Sequence, residues 1–414
     1  MKRLLFFSAM SLLCLALSAQ TKTWTGPSGG NFNNAANWNP SGIPGPSHDV
    51  IIPTGSNILI DGANIKSFAL QGNATALMSN TIYFTAASSI AAGATIDCNF
   101  GYFDGSGTLT NNGTLNDNGI SISNAVTIIN NAAYNITTGG IHYIGQGSPL
   151  INNTATGTIN ITALSGSLQG SSGQGTIINA GTIKKTQSTE LYGINIPLLN
   201  NNGTITVESG MLQIQNQLTE FNDGVYNVSA GSTLQWNSTF TCSGTLSGQL
   251  DGNFEWTGTM QVLPGTETTL DFNGPAGVKW LSGNFTGDGT LNNLGILNLE
   301  STAIKTIGGQ SIFNNAGDFN INSTGELYIG YGTPTFTNTA TGNININFDG
   351  AIQGASGNGN LINTGIIKKE GSTGNFSIAS NITNTSPGKI MAETGLLQLY
   401  GSLTGNGILT GNGA

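Results

Sequence analysis

The sequence predicts an all-β protein, a parallel β-helix of about eighteen coils with an internal duplication. Three observations carry this. A short motif, φ-x-N-x-G-x-φ-x-φ followed by a Gly turn and φ-Q/Y/H-φ, returns about every 20 to 26 residues. Residues 107–214 and 289–399 repeat each other as long blocks. The third is composition: 61 of 414 residues are Gly and 7% are charged, against about a quarter in ordinary domains.

The short motif is clearest at 199–215, LLNNNGTITVESGMLQI. Apolar and polar residues alternate over three to five positions, so each run reads as a short strand with one buried face. Gly and Asn between runs supply the positive φ angles of tight turns. One coil cannot bury its own apolar face, whereas coils stacked about 4.8 Å apart share an interior and pair every strand above and below. Stacking also aligns like residues, so Asn at one turn of successive coils can form a hydrogen-bonded ladder. Eighteen such coils make a rod of about 85 Å.

The long repeat is visible by eye. GTLTNNGTLN (107–116) matches GTLNNLGILN (289–298), and YIGQGSPLINNTATGTINI (143–161) matches YIGYGTPTFTNTATGNINI (328–346). IINAGTIKK (177–185) matches LINTGIIKK (361–369), and ESGMLQI (208–214) matches ETGLLQL (393–399). The offset stays between about 182 and 185 residues. A duplicated fibre simply grows longer, which suits a spacer or a multivalent surface.

The two ends differ from this body. Lys2 and Arg3, then an apolar run from Leu4 to Leu17, then Ser18 and Ala19, read as a secretory signal peptide over residues 1–19, too short for a membrane span. Residues 20–60 form an N-terminal cap rich in Pro, with Trp24, Phe32 and Trp38 placed to cover the open end of the first coil. Residues 61–414 form the solenoid, with Trp-containing coils at 230–285 between the blocks. The chain stops at GSLTGNGILTGNGA, in mid-pattern, which is the expectation for a piece of a longer protein.

Charge excludes partners. The net charge is −9 and the one Arg is Arg3, so nucleic-acid binding, which needs clustered cations, is excluded. Beyond the signal the cysteines are Cys98 and Cys242, too far apart in a repetitive fold for a disulfide and read as small buried residues. No metal-ligand spacing is present and no cofactor is expected.

The run W-T-G…F…A-x-N-W…G-x-P…D-V-x-I-P, borne by Trp24, Phe32, Asn37, Trp38, Pro44, Asp49, Ile52 and Pro53, resembles the opening of large exported bacterial β-solenoid proteins. The N-x-G-x-φ-x-φ coils resemble those of filamentous-haemagglutinin and autotransporter-passenger adhesins over nearly the whole mature chain. The resemblance implies a right-handed helix, display at the bacterial cell surface or outer membrane, and adhesion to host or matrix glycans or surface proteins. It departs from that pattern in having no outer-membrane barrel and no sorting domain, so the anchoring module is expected outside this sequence.

β-Helices also carry polysaccharide lyases and glycosidases, so catalytic constellations matter. A lyase needs a cationic base with calcium-binding carboxylates. A hydrolase needs two carboxylates within about 5 to 10 Å. The acids are scattered; stacking would bring Asp251 or Glu255 near Asp271, with no counterpart in the second block. His142 falls where the duplicate has Leu327, which argues against catalysis. The matched pairs Lys184–Lys185 and Lys368–Lys369 read as solvated corners or as sites for an acidic glycan.

The most distinctive local feature is Trp236, Trp256 and Trp280, spaced 20 and 24 residues apart, one coil each. They would stack in register. Trp236 shares parity with Leu234, so it points inward if Leu234 does; the other reading is an exposed platform for sugar rings. Taken together, the sequence reads as a secreted adhesin or structural spacer without catalysis, the alternative being a carbohydrate-binding or carbohydrate-active β-helix.

Overall fold

The computed structural model describes residues 20–355 and 359–411; the signal peptide expected at 1–19 lies outside them. The chain forms a parallel β-solenoid of about sixteen turns. Each turn contributes three short strands, most of four residues, and each strand pairs with the strand one turn before and one turn after. Three columns of strands result. The first contains Thr108–Asn111, Thr127–Asn130, Leu150–Asn153 and Thr176–Asn179. The second contains Thr114–Asp117, Ala133–Ile136, Thr158–Ile161 and Thr182–Lys185. The third contains Tyr102–Gly105, Ser121–Asn124, Gly140–Gly147 and Gly166–Gln169. One pairing is antiparallel, Gln20–Trp24 with Trp38–Asn39.

The count falls below the expected eighteen because turns vary in length. Asn111 pairs with Asn130, Asn130 with Asn153 and Asn153 with Asn179, while Gln20 first returns at His48. Loops at the corners take up most of the difference, and register shifts occur within strands at Ile122/Asn124, Asn222/Gly224 and Ile307/Gly309.

Alternation within each strand builds the interior. In Thr108–Asn111, Leu109 and Asn111 are buried while the two threonines face out, and this pattern recurs through the stack. One continuous core runs from Trp24 to Ile390. At about 25 cal/mol per Å² of apolar surface, each fully buried Ile or Leu contributes about 1.5 to 3 kcal/mol before chain entropy is charged against it. Near the start, Trp24 and Phe32 pack edge-on against Trp38 with centroids 5.2 and 4.9 Å away, and Trp38 Nε1 donates to the Phe32 carbonyl at 2.7 Å. Cys98 and Cys242 are free and buried.

The buried Asn residues form the expected ladder. Amides run Asn111–Asn130–Asn153–Asn179–Asn200 at 2.6 to 2.7 Å and end on the Tyr226 hydroxyl at 3.0 Å. A second ladder runs Asn293–Asn315–Asn338–Asn363–Asn384 at 2.8 to 2.9 Å. Five of the ladder Asn residues carry Gly two positions on, at 113, 181, 295, 317 and 365, and that Gly has a different reason from the one expected. Gly181 does not adopt positive φ; a Cβ there would lie 2.2 Å from the Thr154 carbonyl and 2.3 Å from that of Gly157. The preceding coil leaves no room for a side chain.

The two blocks stand on different columns. The first column continues from Leu198–Asn201 through Thr219–Val228, Thr239–Gln249, Thr259–Gln261, Gly283–Thr286 and Lys305–Gly309 to Leu327–Gly332. Leu327–Gly332 is the counterpart of part of Gly140–Gly147, which lies in the third column. The second Asn ladder likewise begins on Thr290–Asn293 in the second column, reached from Thr204–Val207. The duplication is therefore not a whole number of coils, and equivalent surfaces face different sides of the rod. The transition occurs where two long strands, Thr219–Val228 and Thr239–Gln249, each span two columns.

Candidate functional site

The tryptophan row lies inside. Trp236 pairs in register with Trp256, and Trp256 with Trp280. All three are buried, at 1%, 0% and 0% exposure. Trp256 and Trp280 stack at 4.2 Å with planes 3° apart, and their indole N–H groups donate to the carbonyls of Gly258 at 2.7 Å and Ser282 at 3.1 Å. Trp236 stacks on Phe221 at 4.1 Å and meets Phe254 edge-on at 4.5 Å. These rings are enclosed by their own coils, so they offer no platform to a sugar; parity with buried Leu234 was the correct guide. Gln235, Glu255 and Lys279 take the outer face, where Gln213 donates to Gln235 and Gln235 donates to Glu255.

The lysine pairs divide by the same alternation. Lys184 and Lys368 point out and pair with Glu208 and Glu370, each at 2.7 Å. Lys184 stands in the second column and Lys368 in the third, so they do not share a face. Lys185 and Lys369 are wholly buried, which corrects both the solvated-corner and the glycan readings for them. Lys185 Nζ donates to the carbonyls of Ser188 at 2.8 Å and Ser209 at 3.1 Å. Lys369 Nζ donates to the Ser372 carbonyl at 2.9 Å and its hydroxyl at 2.6 Å. Lys305 does the same to Ser301 and Ala303, at 2.8 and 2.9 Å. Each buried ammonium fastens a corner loop through its carbonyls, of which that of Ser301 also accepts the Ser323 hydroxyl at 2.6 Å. Burial lowers the pKa of Lys185, and it lowers that of Lys305 to about 8 against the pull of Glu300.

Sequence reasoning passed over a buried polar cluster in the first block. Asp117 Oδ1 accepts the backbone N–H groups of Gly119 and Ile120, both at 2.9 Å, and lies 2.9 Å from His142 Nδ1. Its Oδ2 accepts the Tyr134 hydroxyl at 2.9 Å. His142 Nε2 faces the Thr138 carbonyl at 3.0 Å. Both ring nitrogens therefore meet acceptors, an arrangement that suits the doubly protonated ring. Burial works against that charge, and the Asp117 carboxylate with the Thr138 carbonyl outweighs it, so the His142 pKa is raised. Burial first and Asp117 second push the hydroxyls of Tyr134 and Tyr192 well up, and the Tyr192 hydroxyl has no partner. The second block places Leu299, Phe319, Leu327 and Phe376 at the four matching positions. The signal was present: four inward positions are polar in one copy and apolar in the other. Asp117 and His142 are at most 1% exposed, so this cluster orders turns rather than meeting a substrate.

The remaining candidates lie on the surface. Glu255 is engaged by Gln235, and Asp251 accepts the Gln249 side-chain amide at 2.7 Å. Two shallow grooves, each of about 520 Å³, adjoin at Gln174. One is lined by Gln169, residues 170–174 and Asn195; the other by Gln174, residues 215–218, Asn237 and Ser238. Among the described residues no helix is long and apolar enough to cross a membrane. No known family matches this chain, and no curated protein is similar to it.

Proposed function

We propose that this chain is an exported surface rod, an adhesin or structural spacer that works through its sides and catalyses nothing. The observation that carries the reading is the division of labour between faces. Inward titratable groups such as Asp117, Lys185, Lys305 and Lys369 are held by the fold itself. Outward positions form ladders of Asn, such as Asn116–Asn135–Asn160 and Asn320–Asn345, with amide bonds of 2.8 Å. A stiff stack about 75 Å long presents these ladders side-on, which suits holding a partner away from a surface or gripping it at many weak points. The N-terminal run of Lys2, Arg3 and apolar residues to Leu17 supports export.

The partners proposed are host or matrix glycans or surface proteins. The test is twofold. Expressed with its own leader in a bacterial host, the chain is expected to be reached by external protease on intact cells. Beads coated with residues 20–414 are expected to adhere to glycan or matrix surfaces without releasing reducing ends from polysaccharide. Retention inside the cell would defeat the surface role, and release of oligosaccharides would replace it with the carbohydrate-active alternative.

A further inference from the structure

We infer that the first block binds a neutral, extended oligosaccharide lying lengthwise along the rod, in the groove centred on Asn195. This rests on the surface reading above and names its ligand. Tyr143 pairs in register with Gln169, and Gln169 with Asn195. Ile194 pairs with Ile214 and Ile214 with Trp236, so Gln215 and Asn237 continue the same line on the next two coils. One uncharged polar side chain is thus offered per coil, about every 4.8 Å. That step is close to the advance of one ring in an extended β-linked sugar chain.

The groove is built rather than incidental. Residues 170–174 overhang it, closed by the Ser171 N–H on the Gly173 carbonyl at 3.0 Å. Gly173 rests directly on Gly147, where a Cβ would come within 2.2 Å of the Gly147 carbonyl. Gln174 at the tip borders both grooves. Asn195 lines the groove, and its Oδ1 lies covered against its own strand with no hydrogen-bond partner in the fold, so turning the amide toward the groove forfeits no bond of that oxygen. An unpaired amide oxygen beside further amides is matched by sugar hydroxyls, which donate and accept in turn. At one end Tyr143, 38% exposed, presents a ring for the apolar face of a pyranose. The lining residues are uncharged and the chain carries −9, so a uronate polymer finds no cation and meets repulsion.

The second block supplies an internal control. There Glu326 accepts the Tyr328 hydroxyl at 2.8 Å and the Gln353 amide at 3.2 Å, and Ala379 stands at the position of Asn195. Its Gln353 amide is already engaged and Ala379 offers none, so one site per chain is expected.

The experiment is calorimetry and array binding on residues 20–414 with cellohexaose and other neutral hexasaccharides, and with hexagalacturonate. Neutral sugars are expected to bind with one site per chain, and hexagalacturonate to stay unbound. Asn195→Ala and Gln174→Ala are each expected to weaken binding about tenfold or more with unchanged circular dichroism, while Gln353→Ala leaves it unchanged. Gln174 is on an exposed loop, so its variant reports binding even if Asn195→Ala misfolds. Absence of neutral-sugar binding, preference for hexagalacturonate, or indifference to both variants overturns the proposal. A chain that is surface-exposed and adherent yet binds none of these sugars would defeat the groove assignment alone and leave the adhesin reading standing.

Discussion

His142 Nδ1 lies 2.9 Å from Asp117 Oδ1 in the interior of the first block, and the second block fills the same two positions with Leu327 and Leu299. The same coil geometry thus closes around a hydrogen-bonded Asp–His pair and around two leucines. Removing one partner of a buried pair costs about 3 to 5 kcal/mol, whereas replacing the whole group by apolar residues of similar size is neutral or stabilising.

His142→Leu alone is therefore expected to destabilise the first block by about 3 kcal/mol, because the buried Asp117 loses its imidazole partner. The combined variant Asp117→Leu, Tyr134→Phe, His142→Leu, Tyr192→Phe copies the second block and is expected to recover stability to wild type or above. Hydrogen exchange in residues 114–195 measures both. A combined variant less stable than His142→Leu would show that the first block depends on the cluster.

The same pair carries a pH dependence. A base whose folded pKa is raised stabilises the fold fully below its unfolded value, about 6.5, and that contribution disappears as pH rises through the folded value. Wild type is expected to lose a component of stability above about pH 6.5 that the combined variant lacks. Denaturation midpoints across the neutral range decide it; parallel curves for the two proteins would remove His142 as the cause.

Lys305 has the opposite slope. Its folded pKa is lowered to about 8 from 10.5, so between those values the unfolded chain binds more protons and stability rises with pH. Lys305→Met is expected to flatten that rise while freeing the Ala303 carbonyl, and leaving that of Ser301 to the Ser323 hydroxyl, at every pH. The readout is the difference between the two stability curves above about pH 8, where a constant difference would exclude Lys305.

Trp256→Ala is expected to cost about 3 to 5 kcal/mol by leaving Trp280 facing a void, with little effect on any surface binding. Local exchange in residues 233–299, with adhesion measured alongside, separates the two roles. Lost adhesion with an intact core would restore an exposed platform.

Gly181→Ala is expected to cost about 2 kcal/mol or more, because its Cβ would press on the carbonyls of Thr154 and Gly157. Thermal unfolding of residues 20–414 measures it. A neutral result would mean that neighbouring coils separate easily.

The sequence by itself determined the coil architecture, the Asn ladders and the parity that ties Trp236 to Leu234, while burial of the tryptophans was decided by the tertiary structure. The first three follow from a local period: two residues within a strand and about 22 from coil to coil, which the side chains must obey wherever the strand lies. The period of two places Lys185 with buried Ile183 and Lys369 with buried Ile367, but it did not say what would receive a buried ammonium; the corner carbonyls of Ser188 and Ser372 do so. It did not reveal that the duplicated blocks occupy different columns, because that depends on the summed lengths of intervening loops and on two strands that turn a corner unbroken. Nor did it bring Asp117, Tyr134 and His142 together, since their meeting depends on how three coils stack. The tertiary structure decided these points because lateral register between coils is set by loops and packing that no single repeat contains.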